Sequence, residues 1–96
     1  PEYRSALGAI LSQQGQLLAA DPQSLSAAES LIEQAVAEQS AALKADAENA
    51  RYRGFLYDDL RVLALVRVQG RRIPEAIEAL TRMSELKRDD PAALLF

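Results

Sequence analysis

Asp58 and Asp59 are adjacent carboxylates, and their types and spacing come nearest to acid–base or metal chemistry in this chain. Two carboxylates hold a proton or a divalent cation together only when they converge on one point. Neighbouring residues of a helix point about 100° apart, so this pair would need help from another element. The chain contains no His and no Cys, which removes the usual proton shuttle, thiolate nucleophiles and the commonest zinc ligands. The sequence therefore predicts no enzyme, no cofactor and no metal site.

The expected roles of the two carboxylates are structural or recognition roles. We expect Asp58 to face solvent or a groove. Asp59 is expected to pair with an arginine such as Arg53 or Arg61.

Arginine is the other residue type that could carry specific chemistry, because a guanidinium can hold a phosphate through two hydrogen bonds. Six arginines lie between positions 51 and 72, but helical spacing scatters them and their one doublet falls in a turn. The formal net charge is −3, with seven acidic and two basic side chains in residues 1–50, and seven acidic and nine basic in residues 51–96. A nucleic-acid-binding face would be far more basic, so no nucleic-acid partner is predicted. The opposite charge of the halves favours head-to-tail contact between neighbours or copies.

The elements that must position these side chains are helices, because apolar residues recur at intervals of three, four and seven. Spacing and capping residues predict four helices, at 3–20, 26–45, 50–69 and 73–87. Ser26 and Glu29 form a capping-box pattern at the start of the second helix. Gly70 is expected to end the third helix, and Pro74 suits the first turn of the fourth.

The expected buried residues follow from the same periodicity. Gln39 falls in the buried stripe of the second helix, and the third helix is apolar around most of its circumference. The fourth helix is expected to turn these residues inward: Ala76, Ile77, Leu80, Met83 and Leu86. The chain has no run of about 18 apolar residues, so no membrane insertion is predicted, and we expect a soluble, cytoplasmic segment.

The two halves of the chain repeat one another at an offset of 49 residues. The segment Tyr-Arg-x-x-Leu at 3–7 recurs at 52–56, and the same offset gives seven identities over 47 aligned positions. One identity pairs Ala27 with Ala76, where small side chains would let two antiparallel helices approach closely. A repeated helical hairpin buries its apolar face by stacking on its neighbour.

The predicted fold is therefore all-α, with two antiparallel helix pairs in a single repeat domain. The first repeat covers 3–48, the second covers 52–89, and 90–96 is expected to begin a third. The apolar residues 94–96 would normally be covered by chain that follows, so we expect a piece of a longer array. The alternative is a native tail that folds back on the fourth helix.

These motifs resemble a known family of helical repeats. Gly15 and Ala64 each precede an alanine by twelve positions and a leucine by sixteen, which is similar to the spacing of the tetratricopeptide repeat. The segment 70–76 looks like the turn between the two helices of such a repeat. The Tyr-Arg-x-x-Leu openings and the segment 49–53 resemble the arrays that follow the kinase domain in many bacterial serine/threonine protein kinases, particularly of planctomycete type.

The resemblance implies a protein–protein interaction scaffold within a larger, kinase-containing, multidomain protein. In tetratricopeptide arrays the first helix of each pair lines a groove that binds a protein or peptide. The matching positions here are Ala9, Ser12, Gln16, Asp58, Arg61 and Leu65. The alternative is a structural spacer, or a self-association (dimerisation) domain without a peptide-binding groove, which would form homo-oligomers through the apolar third helix and residues 94–96.

Overall fold

The computed structural model describes residues 1–88, with side chains through residue 87. Of this described part, 89% is helical and none is in a strand, so the protein is all-α as predicted. No described helix is long and apolar enough to cross a membrane. The expected third repeat at 90–96 lies outside the described residues. The helices are α1 (Glu2–Ala19), α2 (Leu25–Ala45), α3 (Ala50–Gln69) and α4 (Ile73–Arg88), with a 3₁₀ turn at Pro22–Ser24.

The start and end of α3 are fixed by residues that the sequence singles out. The side-chain oxygen of Asn49 accepts hydrogen bonds from the main-chain N–H groups of Arg51 and Tyr52, at 3.0 and 3.1 Å. This satisfies two amides that a helix start leaves without partners. Gly70 ends the helix, as predicted, but it is Arg71 that adopts the left-handed conformation, with φ of 60°.

The start of α2 differs from the prediction. Asp21 caps the 3₁₀ turn by accepting hydrogen bonds from the N–H of Gln23 and the hydroxyl of Ser24. Helix α2 therefore begins one residue earlier than expected, and its N-cap, Ser24, makes no side-chain capping bond. The capping box predicted for Ser26 and Glu29 is wrong, because both residues already lie inside the helix.

Long-range hydrogen bonds define how the helices run. Ser5 near the start of α1 bonds Gln39 near the end of α2, so this first pair is antiparallel. Arg53 near the start of α3 donates to the carbonyl of Leu86 near the end of α4, which makes the second pair antiparallel too. Helix α3 packs on both α2 and α4. The first helices of the two pairs, α1 and α3, consequently lie side by side and parallel.

The buried face of α1 consists of small residues, namely Ser5, Gly8, Ser12 and Gly15. A Cβ atom on Gly15 would lie 2.6 Å from Cδ1 of Ile32, and one on Gly8 would lie 2.8 Å from Nε2 of Gln39. Both positions therefore require glycine if α1 is to lie this close to α2. Ile10 and Leu17 of α1 are left on the outside, while Leu18 packs partly against the core.

The structural repeat is one residue shorter than the sequence offset. Helices α1 and α3 begin at residues 2 and 50, and α2 and α4 begin at residues 25 and 73, a spacing of 48 in both cases. Ala28 is fully buried and Ala76 is 2% exposed, whereas Ala27 is exposed. The expected equivalence of Ala27 with Ala76 is therefore wrong, and Ala28 occupies the matching position.

The buried face of α4 also differs from the prediction. Ile77 and Leu80, expected inward, are 57% and 50% exposed, while Ala79 is fully buried in their place. One residue corresponds to a rotation of about 100° around a helix. Ala76 and Met83 are buried and Leu86 is partly buried, as predicted.

Candidate functional site

The strongest candidate site is the groove between the parallel helices α1 and α3, which we call the α1–α3 groove. Two adjoining clefts form it, and both are lined by Ala9 and Phe55. One cleft lies near the helix starts, between Glu2 and Tyr52. The other lies at mid-helix and has a volume of ≈ 260 Å³. Small-molecule sites usually occupy about 300–1,000 Å³, so the mid-helix cleft suits single side chains of a partner better than a cofactor.

The structure brings together most of the predicted groove residues. Ala9, Ser12, Gln16 and Asp58 all line the mid-helix cleft. The other two predicted residues, Arg61 and Leu65, are exposed on α3 but line neither cleft. The groove prediction therefore locates the central part of the site and extends too far along α3.

Asp59 lies on the α3 side of the mid-helix cleft and is 5% exposed. Its Oδ2 atom has no hydrogen-bond partner among the described residues. Burial raises the pKa of Asp59 to about 6, a hydrogen bond from the Ser12 hydroxyl opposes this rise, and the charge of Asp58 adds to it. At neutral pH the groove therefore contains a largely ionised carboxylate with one oxygen unpaired.

The expected ion pair of Asp59 with an arginine is wrong. Arg53 instead donates to two main-chain carbonyls, at 3.1 Å to Ala47 and at 3.4 Å to Leu86. It thereby fastens the loop before α3 to the end of α4. Arg61 points to solvent. Sequence spacing alone placed these cations near Asp59, but the packing of α1 against α3 puts Ser12 there.

A hydrogen-bonded layer supports the floor of the groove. Gln39 is fully buried, as the periodicity predicts, and exchanges two hydrogen bonds with Ser5. The Ser5 hydroxyl donates to Oε1 of Gln39 at 2.8 Å, and Nε2 of Gln39 donates to the Ser5 carbonyl at 2.9 Å. Nearby, Nε2 of Gln16 donates to the hydroxyl oxygen of Ser12 at 3.1 Å, which leaves the Ser12 proton free for Asp59. Satisfied buried polar groups of this kind hold a surface in one geometry.

The two ends of the α1–α3 groove differ in charge, because the cleft near the helix starts is lined by both Glu2 and Arg51, while the mid-helix cleft is lined by two carboxylates. At the end near the helix starts, the Arg51 guanidinium lies over the ring of Phe55, 5.5 Å from its centroid. At mid-helix, Asp58 and Asp59 provide negative charge. The sequence reasoning did not place Arg51 and Phe55 at the groove. Phe55 precedes Asp58 by three residues, which puts both on one side of α3, and this spacing is the signal that could have identified it.

A second cluster of charges joins α2, α3 and α4 but forms no open site. The buried Arg67 pairs with Glu29 at 3.5 Å and with Glu33 at 2.8 Å, and it donates to the carbonyl of Glu75 at 2.9 Å. Arg72 also bonds Glu29. These charges neutralise one another, so this cluster connects the two helix pairs. Within residues 1–88 no group of three or more potential metal ligands converges.

Comparisons with protein-family models, with curated proteins and with solved structures give no match. The resemblance to tetratricopeptide arrays therefore rests on the sequence motifs alone. The groove geometry provides separate grounds for a functional interpretation.

Proposed function

We propose that this protein is a protein–protein interaction scaffold, a tetratricopeptide-like segment of a larger, kinase-containing protein, and that the α1–α3 groove binds a segment of a partner. The observation that carries the proposal is the buried carboxylate of Asp59, which lines the groove and has one oxygen without a hydrogen-bond partner within residues 1–88. A buried charge without a full set of hydrogen bonds lowers stability, and such groups are concentrated at functional sites.

The chemistry of the groove defines the partner. A lysine, arginine or amide side chain would supply the missing hydrogen bond to Asp59, and Asp58 beside it would add favourable charge. Gln13 and Gln16 line the same cleft and can exchange hydrogen bonds with a peptide main chain. At the other end, Glu2 and Arg51 line the cleft with one charge of each sign. The preferred ligand is thus an extended peptide with a basic side chain near the mid-helix cleft.

A peptide-display selection against the intact protein tests this proposal. We expect enrichment of peptides with a lysine or arginine at a fixed position, with affinities then measured by calorimetry. Asp59→Asn should weaken these peptides at least about tenfold, equivalent to about 1.4 kcal/mol. Arg61→Ala is the matched control, because Arg61 is an exposed charge on the same helix outside both clefts.

Acidification provides a second measurement on the same peptides. Protonation of Asp59 removes the charge that the basic side chain recognises, so affinity should fall as the pH drops through about 6. A selection that yields no groove ligand, or ligands indifferent to Asp59→Asn, would instead favour the alternative of a spacer or self-association domain without a peptide-binding groove.

A further inference from the structure

Helix α4 carries an apolar stripe that nothing covers within the described residues. We call it the trailing stripe, and it consists of Ile73, Ile77 and Leu80. These side chains are 49%, 57% and 50% exposed. Three large apolar residues on one helix face, one turn apart, are typical of a protein–protein contact.

The internal repeat shows what kind of surface fits this stripe. The 48-residue spacing matches the trailing stripe with Leu25, Glu29 and Ile32 of α2. In α2 these positions are covered: Ile32 is fully buried, Glu29 is 6% exposed, and Leu25 packs against the core.

Helix α3 covers the first two of these positions, while Ile32 packs on Gly15 of α1 within its own pair. Val66 of α3 lines the same recess as Leu25 and Glu29, and Arg67 of α3 pairs with Glu29. Within residues 1–88, Ile73 and Ile77 of α4, which match Leu25 and Glu29, have no helix in the place that α3 takes on α2.

The equivalent of α3 in the first pair is α1, and its outer face has the composition of an interface. The 48-residue spacing matches Gln14 and Leu18 of α1 with Val62 and Val66 of α3, which are only 9% and 3% exposed. Residues 5–20 contain no charged side chain, which is unusual for an exposed helix and typical of the centre of an interface.

We call this outer surface the leading face, and it consists of Leu7, Ile10, Gln14, Leu17 and Leu18. Ile10 and Leu17 are 54% and 74% exposed. Its apolar character makes it a suitable partner for the trailing stripe.

The net charges of the two halves of the chain favour one arrangement of docked copies over another. Residues 1–50 carry seven acidic and two basic side chains, while residues 51–96 carry seven acidic and nine basic. Contact between the first pair of one copy and the second pair of another joins opposite charges. Contact between two first pairs would join like charges, which disfavours a symmetric dimer through α1.

We propose that copies of this protein associate head to tail, with the leading face of α1 in one copy docked on the trailing stripe of α4 in the next. At Gln14 and Leu18 this contact resembles the packing of α3 on α2 within the chain, while Ile10 and Leu17 match Asp58 and Leu65, which are exposed on α3. It goes beyond peptide binding because it uses the outer faces of the molecule and leaves the α1–α3 groove open. A heterologous contact of this kind is open-ended, so assemblies can grow past the dimer.

Analytical ultracentrifugation of the full chain over a wide concentration range tests the proposal. Wild-type protein should show an average mass that rises with concentration. The variant Gln14→Glu/Leu17→Glu blocks the leading face, and Ile77→Glu blocks the trailing stripe. Each should raise the dissociation constant at least about tenfold. Ala37→Glu is the matched control, because Ala37 is exposed on α2 and belongs to neither docking face. This variant should associate like wild type.

Mixing the two blocked variants distinguishes head-to-tail docking from symmetric docking. Each variant retains one intact face, so the mixture should form a one-to-one dimer and nothing larger. All substituted positions are exposed, so circular dichroism melts should match wild type. A wild-type chain that stays monomeric up to millimolar concentration overturns the proposal. An Ile77→Glu variant that dimerises as tightly as wild type, or a mixture that stays monomeric at concentrations where wild type associates, also overturns it.

Discussion

Replacing Asp59 with asparagine should stabilise the fold at neutral pH. Burial raises the pKa of Asp59 from 3.8 to about 6. That difference corresponds to about 3 kcal/mol between the protonated and ionised forms in the folded state. Asparagine has the same shape without the charge, but its amide adds a donor that needs a partner. We therefore expect Asp59→Asn to raise the free energy of unfolding by about 1–3 kcal/mol near pH 7.

The stability gain from Asp59→Asn should depend on pH in a direction that the raised pKa fixes. Because the pKa of Asp59 is higher in the folded state, the folded protein binds the proton more tightly than the unfolded chain. The stabilisation from a protonated Asp59 is fully present below pH 3.8 and is lost as the pH rises through about 6. The advantage of Asp59→Asn should consequently be close to zero near pH 4 or below, and complete near pH 7.

Urea unfolding followed by circular dichroism at a series of pH values measures the difference between the two proteins. Titration of the other carboxylates cancels in this comparison. Asp58→Asn is the control, because Asp58 is exposed and contributes only its charge, so its effect should be smaller. A gain that does not vary with pH, or a loss of stability near pH 7, would show that the Asp59 carboxylate is satisfied and would refute the reasoning.

Five further substitutions test packing, capping and the charge cluster. Gly15→Ala would place a Cβ 2.6 Å from an isoleucine carbon and should lower the free energy of unfolding by about 1–3 kcal/mol. Gly54→Ala would meet nothing within 4 Å and should raise it by about 0.5–1 kcal/mol. Melting temperatures that move in the same direction for both variants would contradict this. Asn49→Ala should cost about 1 kcal/mol in urea titration, while Ser26→Ala, inside α2, should change little. Arg67→Ala removes the bonds to Glu33 and to the Glu75 carbonyl and one of the two cations of Glu29, which keeps Arg72, and should cost about 1.5–3 kcal/mol. The loss should largely persist in high salt because buried pairs are poorly screened.

The position and type of the helices could be read from the sequence because those features depend on local interactions. The bounds predicted for α3, at residues 50–69, match the structure, and Asn49 and Gly70 delimit the helix by hydrogen bonds within one turn. The start of α2 was misplaced by one residue. There the cap belongs to the preceding 3₁₀ turn at Asp21, an equally local alternative that the sequence pattern did not distinguish.

The choice of buried face was less predictable, because it depends on which neighbour a helix meets. Ile77 of α4 satisfies the apolar periodicity as well as Met83 does, yet only Met83 is buried. Helix α1 shows the same effect more strongly, since its buried face is built on Gly8 and Gly15 while Ile10 and Leu17 are left outside. Small residues permit close helix packing, and that benefit exists only when a partner helix is present.

What the sequence by itself determined is the all-α fold class and a composition without the His and Cys side chains of common catalytic sites. Only the tertiary structure decided the site. The groove exists because α1 and α3, 48 residues apart in the chain, lie side by side, and this contact buries Asp59 beside Ser12 rather than beside an arginine. Burial is a property of the assembled helices, so the raised pKa of Asp59 and its unpaired oxygen could not be inferred from the order of residues along the chain.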